Sequence, residues 1–185
     1  MLALSLSLAA AALALQGAEP DIGQSTGPCD AVEALQAFNF WVGEWNVYDG
    51  DGVYQGHNRI SKTDGGCLIR EEWTSANGNT GFSMNFRDHA LDAWRQIWVS
   101  PGLQLDYSGG LNEAGEMVLE GEVVYPAQGL TAPFRGVWTP LEDGRVRQHF
   151  TQANAETGAW EDWFIGYYVR VEDDPNAAEH ASPGG

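Results

Sequence analysis

A glutamate flanked by aromatic residues is the side chain in this sequence best placed to do chemistry. Glu71 lies in a segment where strict alternation puts it on the same strand face as Cys67, Ile69 and Trp73. Burial beside an indole disfavours the charged form of a carboxyl group. Glu71 is therefore a candidate acid/base, or a hydrogen-bonding partner for a bound molecule.

The same alternation places other polar groups between aromatic residues. Trp94, Gln96 and Trp98 share one face of segment 93–100, and Asn85 and Gln148 lie on segments 80–88 and 145–152. Apolar walls that carry a few hydrogen-bonding groups are typical of ligand pockets. We therefore predict that one interior binds a small molecule through Glu71, Trp73, Asn85, Trp94, Gln96, Trp98 and Gln148.

Three other interpretations of these residues stay open at this point. The tryptophans could instead fill a closed interior while the amides satisfy one another, which would suit a non-catalytic envelope interaction module. The chain has eight tryptophans, so stacking of sugars on indole rings is a further alternative. Arg95 and Arg147 could stabilise an anion in an enzyme that uses Glu71 as acid/base, or could form structural ion pairs.

Metal and cofactor chemistry find little support in the sequence. The four histidines, at positions 57, 89, 149 and 180, lack the close spacing typical of metal ligands, so no metal site is predicted. His149 lies on a predicted strand and is the one position from which haem iron could be bound; no cofactor is otherwise predicted. Nucleophile elbows, phosphate-binding loops and dinucleotide-binding motifs are absent from the sequence.

The elements that must position these residues are β-strands. Aromatic and β-branched residues recur with a period of two, and turn formers such as Asp49-Gly50-Asp51-Gly52 and Asn77-Gly78-Asn79 separate the runs. Before the first run, Asp30-Ala31-Val32-Glu33 predicts one short helix capped by Asp30. The predicted strands are 40–48, 53–61, 66–75, 80–88, 93–100, 103–109, 116–125, 133–139, 145–152 and 159–171.

About ten strands joined by tight turns predict an all-β fold with antiparallel neighbours. An up-and-down barrel hides the edges of such strands by closing on itself, and a two-sheet sandwich is the alternative. The chain of 185 residues has room for one such domain. With 26 acidic and 9 basic residues its net charge is −17, which argues against nucleic acid and anionic membranes as partners.

The two ends of the sequence differ from the middle. Residues 1–18 are predicted to be an export signal, because they are uncharged and rich in Leu, Ala and Ser. A buried apolar helix or a membrane anchor is the alternative, although about 14 apolar residues fall short of the ~20 that a span needs. Residues 19–28 are predicted to be a linker, 29–171 the barrel and 172–185 a disordered acidic tail.

Cys29 and Cys67 are the only cysteines. In an exported protein an even pair more often forms a disulfide than two free thiols, so we predict a Cys29–Cys67 bridge. Together with the export signal, this bridge indicates a periplasmic or secreted protein.

Several motifs resemble a family of bacterial exported domains of unknown function. They are Phe38-Asn39-Phe40-Trp41-Val42-Gly43-Glu44-Trp45, Gly65-Gly66-Cys67-Leu68-Ile69-Arg70-Glu71-Glu72-Trp73, Trp94-Arg95-Gln96-Ile97-Trp98 and Tyr167-Tyr168-Val169-Arg170. The resemblance runs from about Cys29 to Arg170. By broader analogy such domains resemble calycin-like barrels, the group of lipocalins, fatty-acid-binding proteins and haem-binding nitrobindins. The resemblance implies a calycin-like barrel and supplies no known reaction. From the interior residues named above, the leading hypothesis is a barrel that binds a small, partly apolar molecule without catalysis.

Overall fold

Ten strands form a closed antiparallel barrel in the computed structural model, which describes residues 27–180. Each strand pairs with its neighbours in sequence, and β10 pairs with β1 to close the wall, with Trp45 opposite Arg170 and Tyr48 opposite Tyr167. The strands are β1 Gly43–Tyr48, β2 Tyr54–Thr63, β3 Leu68–Ser75, β4 Thr80–Asp88, β5 Ala93–Val99, β6 Gln104–Leu111, β7 Met117–Tyr125, β8 Leu130–Pro140, β9 Val146–Ala153 and β10 Trp160–Arg170. The predicted up-and-down barrel is confirmed, and the sandwich alternative is wrong because the sheet closes on itself.

The tight turns explain why consecutive strands pair. In the β1–β2 turn, Asp49 Oδ1 accepts hydrogen bonds from the backbone N–H groups of Asp51 and Val53, and Gly52 adopts a φ of 79°. Such a positive φ favours glycine, and the Asp side chain replaces a backbone acceptor. The Asp-Gly pattern of the sequence therefore fixes this hairpin locally.

The turns divide the barrel into two ends. We call one the open end, formed by the loops 49–53, 76–79, 100–103, 126–129 and 154–159. The other, the closed end, is formed by the loops 64–67, 89–92, 112–116 and 141–145 together with residues 27–42. Phe38 and Trp41 of this N-terminal segment are fully buried and pack on Trp138, so the segment plugs the closed end.

The helix predicted after Asp30 is present as two single-turn 3-10 helices, Glu33–Leu35 and Asn39–Trp41. Asp30 does not cap the first turn, which begins after Val32 without a side-chain cap. Instead, the Asp30 carboxylate binds Lys62 Nζ at 2.6 Å and accepts a hydrogen bond from the Gly27 N–H at 2.9 Å. The acidic residue therefore holds the segment to β2.

The predicted Cys29–Cys67 disulfide is confirmed, with a Cα–Cα distance of 5.0 Å. Cys67 directly precedes β3, so the bridge joins the N-terminal segment to the strand that carries Glu71. The Cys29 N–H also donates to the Gly65 carbonyl at 3.1 Å. The plug is thus attached to the barrel both covalently and through the backbone.

Residues beyond β10 turn back along the outer face of β1. Asp174 Oδ2 accepts hydrogen bonds of 2.6 Å from both Asn46 Nδ2 and Tyr48 Oη, and the His180 ring stacks on Tyr54 at 3.7 Å, within a short helix α1 Ala177–His180. A disordered tail was predicted from residue 172, and the structure differs up to His180 because Asp174 pairs with these two outward-facing groups.

The remaining predictions about the two ends of the chain lie outside the described residues. These are the export signal 1–18, the linker up to residue 26 and the last part of the tail, 181–185. In the part of the chain that the structure describes, every helix is too short or too polar to cross a membrane.

Candidate functional site

A cavity of about 910 Å³ occupies the barrel interior on the side of the open end. Its walls are largely aromatic, formed by Trp73, Trp98, Phe150, Trp163, Phe164 and Tyr168. Polar side chains reach the cavity deeper inside, namely Glu71, Gln96 and Gln148. A shallower groove of about 570 Å³ lies at the rim beside Phe82 and Val99, but it contains none of these buried polar groups.

Period-two alternation explains how the interior is built. On β3 the inward residues Ile69 and Glu71 are buried, whereas their neighbours Arg70 and Glu72 reach the outer surface. Glycines make room for the large rings: a Cβ atom on Gly81 would lie 2.3 Å from the Trp98 ring. The small residue on β4 therefore allows the indole of β5 to lie across it.

A chain of hydrogen bonds crosses the interior beneath the cavity, and we call it the interior polar network. It links seven strands through Tyr107, Gln96, Asn85, Ser83, Glu71, Asn58, Tyr168 and Gln148. All eight side chains are buried. Buried polar groups need partners, and this network supplies most of them from strand to strand; Asn58 Oδ1 has no hydrogen-bond partner among the described residues.

Glu71 lies at the centre of the interior polar network. Its Oε1 accepts a hydrogen bond from Asn58 Nδ2 at 2.7 Å, and its Oε2 accepts one from Ser83 Oγ at 2.6 Å. The Ser83 hydroxyl in turn accepts from Asn85 Nδ2 at 2.8 Å. These contacts fix the carboxyl group in one orientation, with only 4% of the residue exposed.

On the other side of Glu71, Asn58 Nδ2 also donates to Tyr168 Oη at 3.2 Å, and that hydroxyl donates to Gln148 Oε1 at 3.2 Å. At the far end, Tyr107 Oη donates to Gln96 Oε1, and Gln96 Nε2 donates to Asn85 Oδ1. The two glutamines that line the cavity are therefore held by the same network as the carboxyl group.

The electrostatics of this interior centre on one acid. Burial raises the pKa of Glu71 to about 7, although the hydrogen bonds from Ser83 and Asn58 act in the opposite direction. Burial also raises the pKa values of the Tyr107 and Tyr168 hydroxyls well above the usual range, and the nearby Glu71 charge adds to both. Near neutral pH the carboxyl is thus the group of this network that gains or loses a proton.

The structure places five of the seven predicted site residues around one cavity: Glu71, Trp73, Gln96, Trp98 and Gln148. Asn85 faces inward but lies behind the cavity wall, where it positions Gln96 and Ser83. Trp94 lies at the closed end, where its Nε1–H donates to the Ala34 carbonyl at 3.2 Å and its ring contacts Phe38. We therefore remove Trp94 from the candidate site, because the plug covers it.

Several residues of the site were not predicted. Asn58 and Tyr168 face inward on β2 and β10, and the same alternation that indicated Glu71 could have found both. Trp163 reaches the cavity mouth beside a register shift between Asp162 and Phe164, and its Nε1–H donates to Tyr125 Oη at 3.1 Å. That irregularity breaks the alternation, so no sequence signal marked Trp163.

Other candidate groups lie on the outer face of the barrel. His149 Nε2 contacts Asp162 Oδ1 at 2.6 Å on the outer face, so the residue considered for haem iron does not reach the cavity. Arg95 binds Asp106 at 2.7 Å, and Arg147 contacts the His149 ring at 3.3 Å. Because Gln96 and Gln148 face inward, their neighbours Arg95 and Arg147 must face outward, so neither stabilises an anion beside Glu71.

Residues 27–180 contain no group of three or more His, Cys, Asp or Glu side chains arranged to hold a metal ion. A comparison with protein-family models found no family that matches the chain, and a search of curated proteins found no matching relative.

Proposed function

We propose that this barrel is an exported protein that binds a small, partly apolar molecule in its interior cavity and catalyses no reaction on it. One observation carries the proposal: a cavity of about 910 Å³ has aromatic walls and a floor of buried, oriented polar groups. Binding pockets for small molecules span about 300–1,000 Å³ and combine the same two features.

The division of the interior supports this assignment. Trp73 and Trp98 offer apolar faces near the mouth, while Gln96, Gln148 and Glu71 offer hydrogen-bonding atoms deeper inside. A molecule with an apolar body and one polar end would match both zones. An envelope module with a filled core, by contrast, would have no such cavity.

The disulfide bears on where this function takes place. Disulfides persist in oxidising compartments, so the Cys29–Cys67 bridge supports a periplasmic or secreted location. The resemblance to calycin-like barrels remains part of the proposal, since these are barrels that hold small molecules in their interiors.

Catalysis by Glu71 is the second candidate function. It is favoured by a carboxyl group whose pKa is raised to about 7, oriented by Asn58 and Ser83 and reachable from the cavity. A general acid or base works best when its pKa lies near the operating pH. Such an enzyme would use Glu71 without an arginine partner, because Arg95 and Arg147 lie outside.

Titration of amphipathic probes tests the binding function, with intrinsic tryptophan fluorescence and melting temperature as readouts. We expect saturable quenching and a higher melting temperature for at least one neutral or charged probe. The Trp98→Phe variant should weaken that binding about tenfold, because it shortens an aromatic wall. The matched control is Trp160→Phe, which changes an indole that lies against Arg135 and does not line the cavity.

The absence of any quenching or melting shift across neutral, cationic and anionic probes would overturn the binding function. Equal weakening by Trp98→Phe and Trp160→Phe would move the binding site away from the cavity. Conversion of a bound probe by the wild-type protein, lost in Glu71→Gln, would favour the enzyme instead.

A further inference from the structure

The charge distribution around the cavity is one-sided. Glu71 is the only carboxylate among the described residues that line it, and none of these residues is Lys, Arg or His. Within residues 27–180, salt bridges form elsewhere, for example between Arg95 and Asp106 or Arg135 and Glu120, and none includes Glu71. The ionised form of this buried carboxyl group has hydrogen bonds but no positive partner.

We propose that the ligand of this cavity carries a basic amine, whose protonated head pairs with the Glu71 carboxylate while its apolar body lies against the aromatic walls. This inference rests on the proposed binding function and names the class of molecule that would fill the site. An ammonium group supplies the positive charge that the barrel itself does not place beside Glu71.

The walls suit a cation as well as an apolar body. Trp73, Trp98 and Phe150 present aromatic rings to the cavity, and the faces of such rings attract cations. An ammonium ion that enters past these rings can therefore contact a ring face before it reaches Glu71. A net charge of −17 for the chain attracts a cation in the same direction over longer distances.

A carboxylate ligand is disfavoured by the same arrangement. Its head would lie near Glu71 with no Lys, Arg or His among the described lining residues to balance two negative charges. A neutral alcohol would avoid this repulsion but would gain only hydrogen bonds to Glu71, Gln96 or Gln148. The expected order of affinity is therefore amine, then alcohol, then carboxylate.

Binding of the amine should depend on the protonation of Glu71. The groups that face Glu71 from the surrounding strands are Asn58, Ser83, Asn85, Gln96, Gln148, Tyr107 and Tyr168, and the two tyrosines stay neutral because their pKa values are raised. With the Glu71 pKa at about 7, amine affinity should rise as pH increases through 7 and then level off. Alcohol binding should change much less over the same range.

Three probes that share one aromatic body separate the possibilities: naphthylethylamine, naphthylethanol and naphthylacetate. Calorimetric titration of the wild-type protein at about pH 8 should show the amine binding about tenfold or more tightly than the alcohol, with the weakest binding for the acid. At about pH 5.5 the amine should lose about tenfold in affinity. This comparison needs no variant, so it stands even if a substitution at Glu71 impairs folding.

The Glu71→Gln variant should bind the amine no better than the alcohol and should lose the pH dependence. Glu72→Gln is the matched control, because it removes the same charge from the neighbouring residue on the outer face, where Glu72 binds Arg70. Tighter binding of the alcohol or the acid by the wild-type protein would overturn the amine inference and leave the binding function standing. If none of the three probes bound, both proposals would be overturned.

Discussion

The two ends of the barrel contain the same kinds of residues but use them differently. At the closed end, four aromatic side chains are fully buried: Phe38, Trp41, Trp45 and Trp138. The ring centroids of Phe38, Trp41 and Trp138 lie within 5.6 Å of one another, and Trp45 Nε1–H donates to the Trp41 carbonyl. At the open end, Trp73, Trp98 and Trp163 surround a cavity and remain partly exposed. Aromatic content alone therefore does not distinguish packing from binding.

The difference comes from the segment that covers one end. Residues 27–42 place Phe38 and Trp41 in the barrel mouth, and no described segment does the same at the open end. The interior polar network lies between the two regions and gives each a different neighbour. On the side of the closed end, rings pack on rings. On the side of the open end, Phe150 and Trp163 contact each other and Phe134 but also line the cavity.

The packing at the closed end leaves some buried polar groups without hydrogen bonds among the described residues, which is destabilising. The indole N–H groups of Trp41 and Trp138 are buried without a hydrogen-bond partner among the described residues. Each such group costs roughly 1–3 kcal/mol of stability, which the buried ring area offsets. Indoles at the closed end therefore contribute to the packed core, whereas those at the open end border the cavity in which we propose a ligand binds.

The largest effect is expected from truncation of one indole at each end of the barrel. Trp41→Ala should lower the free energy of unfolding by about 3–5 kcal/mol, because it removes a fully buried ring from the plug. Trp98→Ala should cost roughly 1–2 kcal/mol, since its ring already borders the cavity. Urea unfolding of both variants measures the difference.

The effects of the same two variants on ligand affinity should be in the opposite order to their effects on stability. Trp98→Ala should weaken binding of a probe, whereas Trp41→Ala should leave the affinity of the folded protein nearly unchanged. Equal losses of stability at the two ends would contradict the division between a packed end and a binding end.

The second effect concerns the disulfide that holds the plug. Cys29→Ala combined with Cys67→Ala removes a link between residues 38 apart in sequence, which should cost about 3–4 kcal/mol of unfolding free energy. Exchange of the amide hydrogens of Trp41 and Val42, which form the second turn of the plug, should accelerate more than that of Gln96. Mass-spectrometric hydrogen exchange measures both regions in one experiment.

The reduced wild-type protein is the control for the double variant, because it keeps both side chains and breaks only the bond. The double variant and the reduced wild-type protein should lose the same amount of unfolding free energy, and both should still bind the probe. Faster exchange at the open end than at the closed end would contradict the assignment of the bridge to the plug.

The fold could be predicted from the sequence because its signals are local. Period-two alternation and Asp-Gly turns specify strands and hairpins, and hairpins between all neighbours leave only the closing pair, β1 with β10, to be settled by edge burial. The same alternation identified the inward faces that carry Glu71, Gln96 and Gln148. It also implied that Arg95 and Arg147 face outward, which contradicts the alternative in which one of them stabilises an anion in the cavity.

The extent of the site could not be predicted, because it depends on contacts between distant parts of the chain. Trp94 and Trp98 share one strand face, and only the position of the plug decides that Trp94 is covered and Trp98 is not. Asp174 belongs to an acidic, polar stretch, yet its hydrogen bonds to Asn46 and Tyr48 hold residues 128 and 126 positions away. Composition carries no signal for such pairings.

The third effect concerns Glu71, which is buried at the boundary between the two ends of the barrel. Its pKa is raised from 4.5 in an exposed chain to about 7 in the folded protein, so the native state binds its proton more tightly than the unfolded state does. The resulting stabilisation is fully present below about pH 4.5 and is lost as pH rises through 7, a total of about 3 kcal/mol. Glu71→Gln should not show this loss. The free energy of unfolding of the variant, relative to that of the wild-type protein, should therefore be higher at pH 8 than at pH 4.5.

Urea unfolding across this pH range measures the effect, and the difference between the two curves isolates Glu71 because other titrating groups are common to both proteins. Glu72→Gln should keep the wild-type pH dependence, since its side chain is on the outer surface. Parallel curves for the wild-type protein and Glu71→Gln would mean that the carboxyl group ionises without cost. The interior would then already neutralise the charge for which an amine ligand is proposed, and the chemical contrast between the two ends of the barrel would disappear.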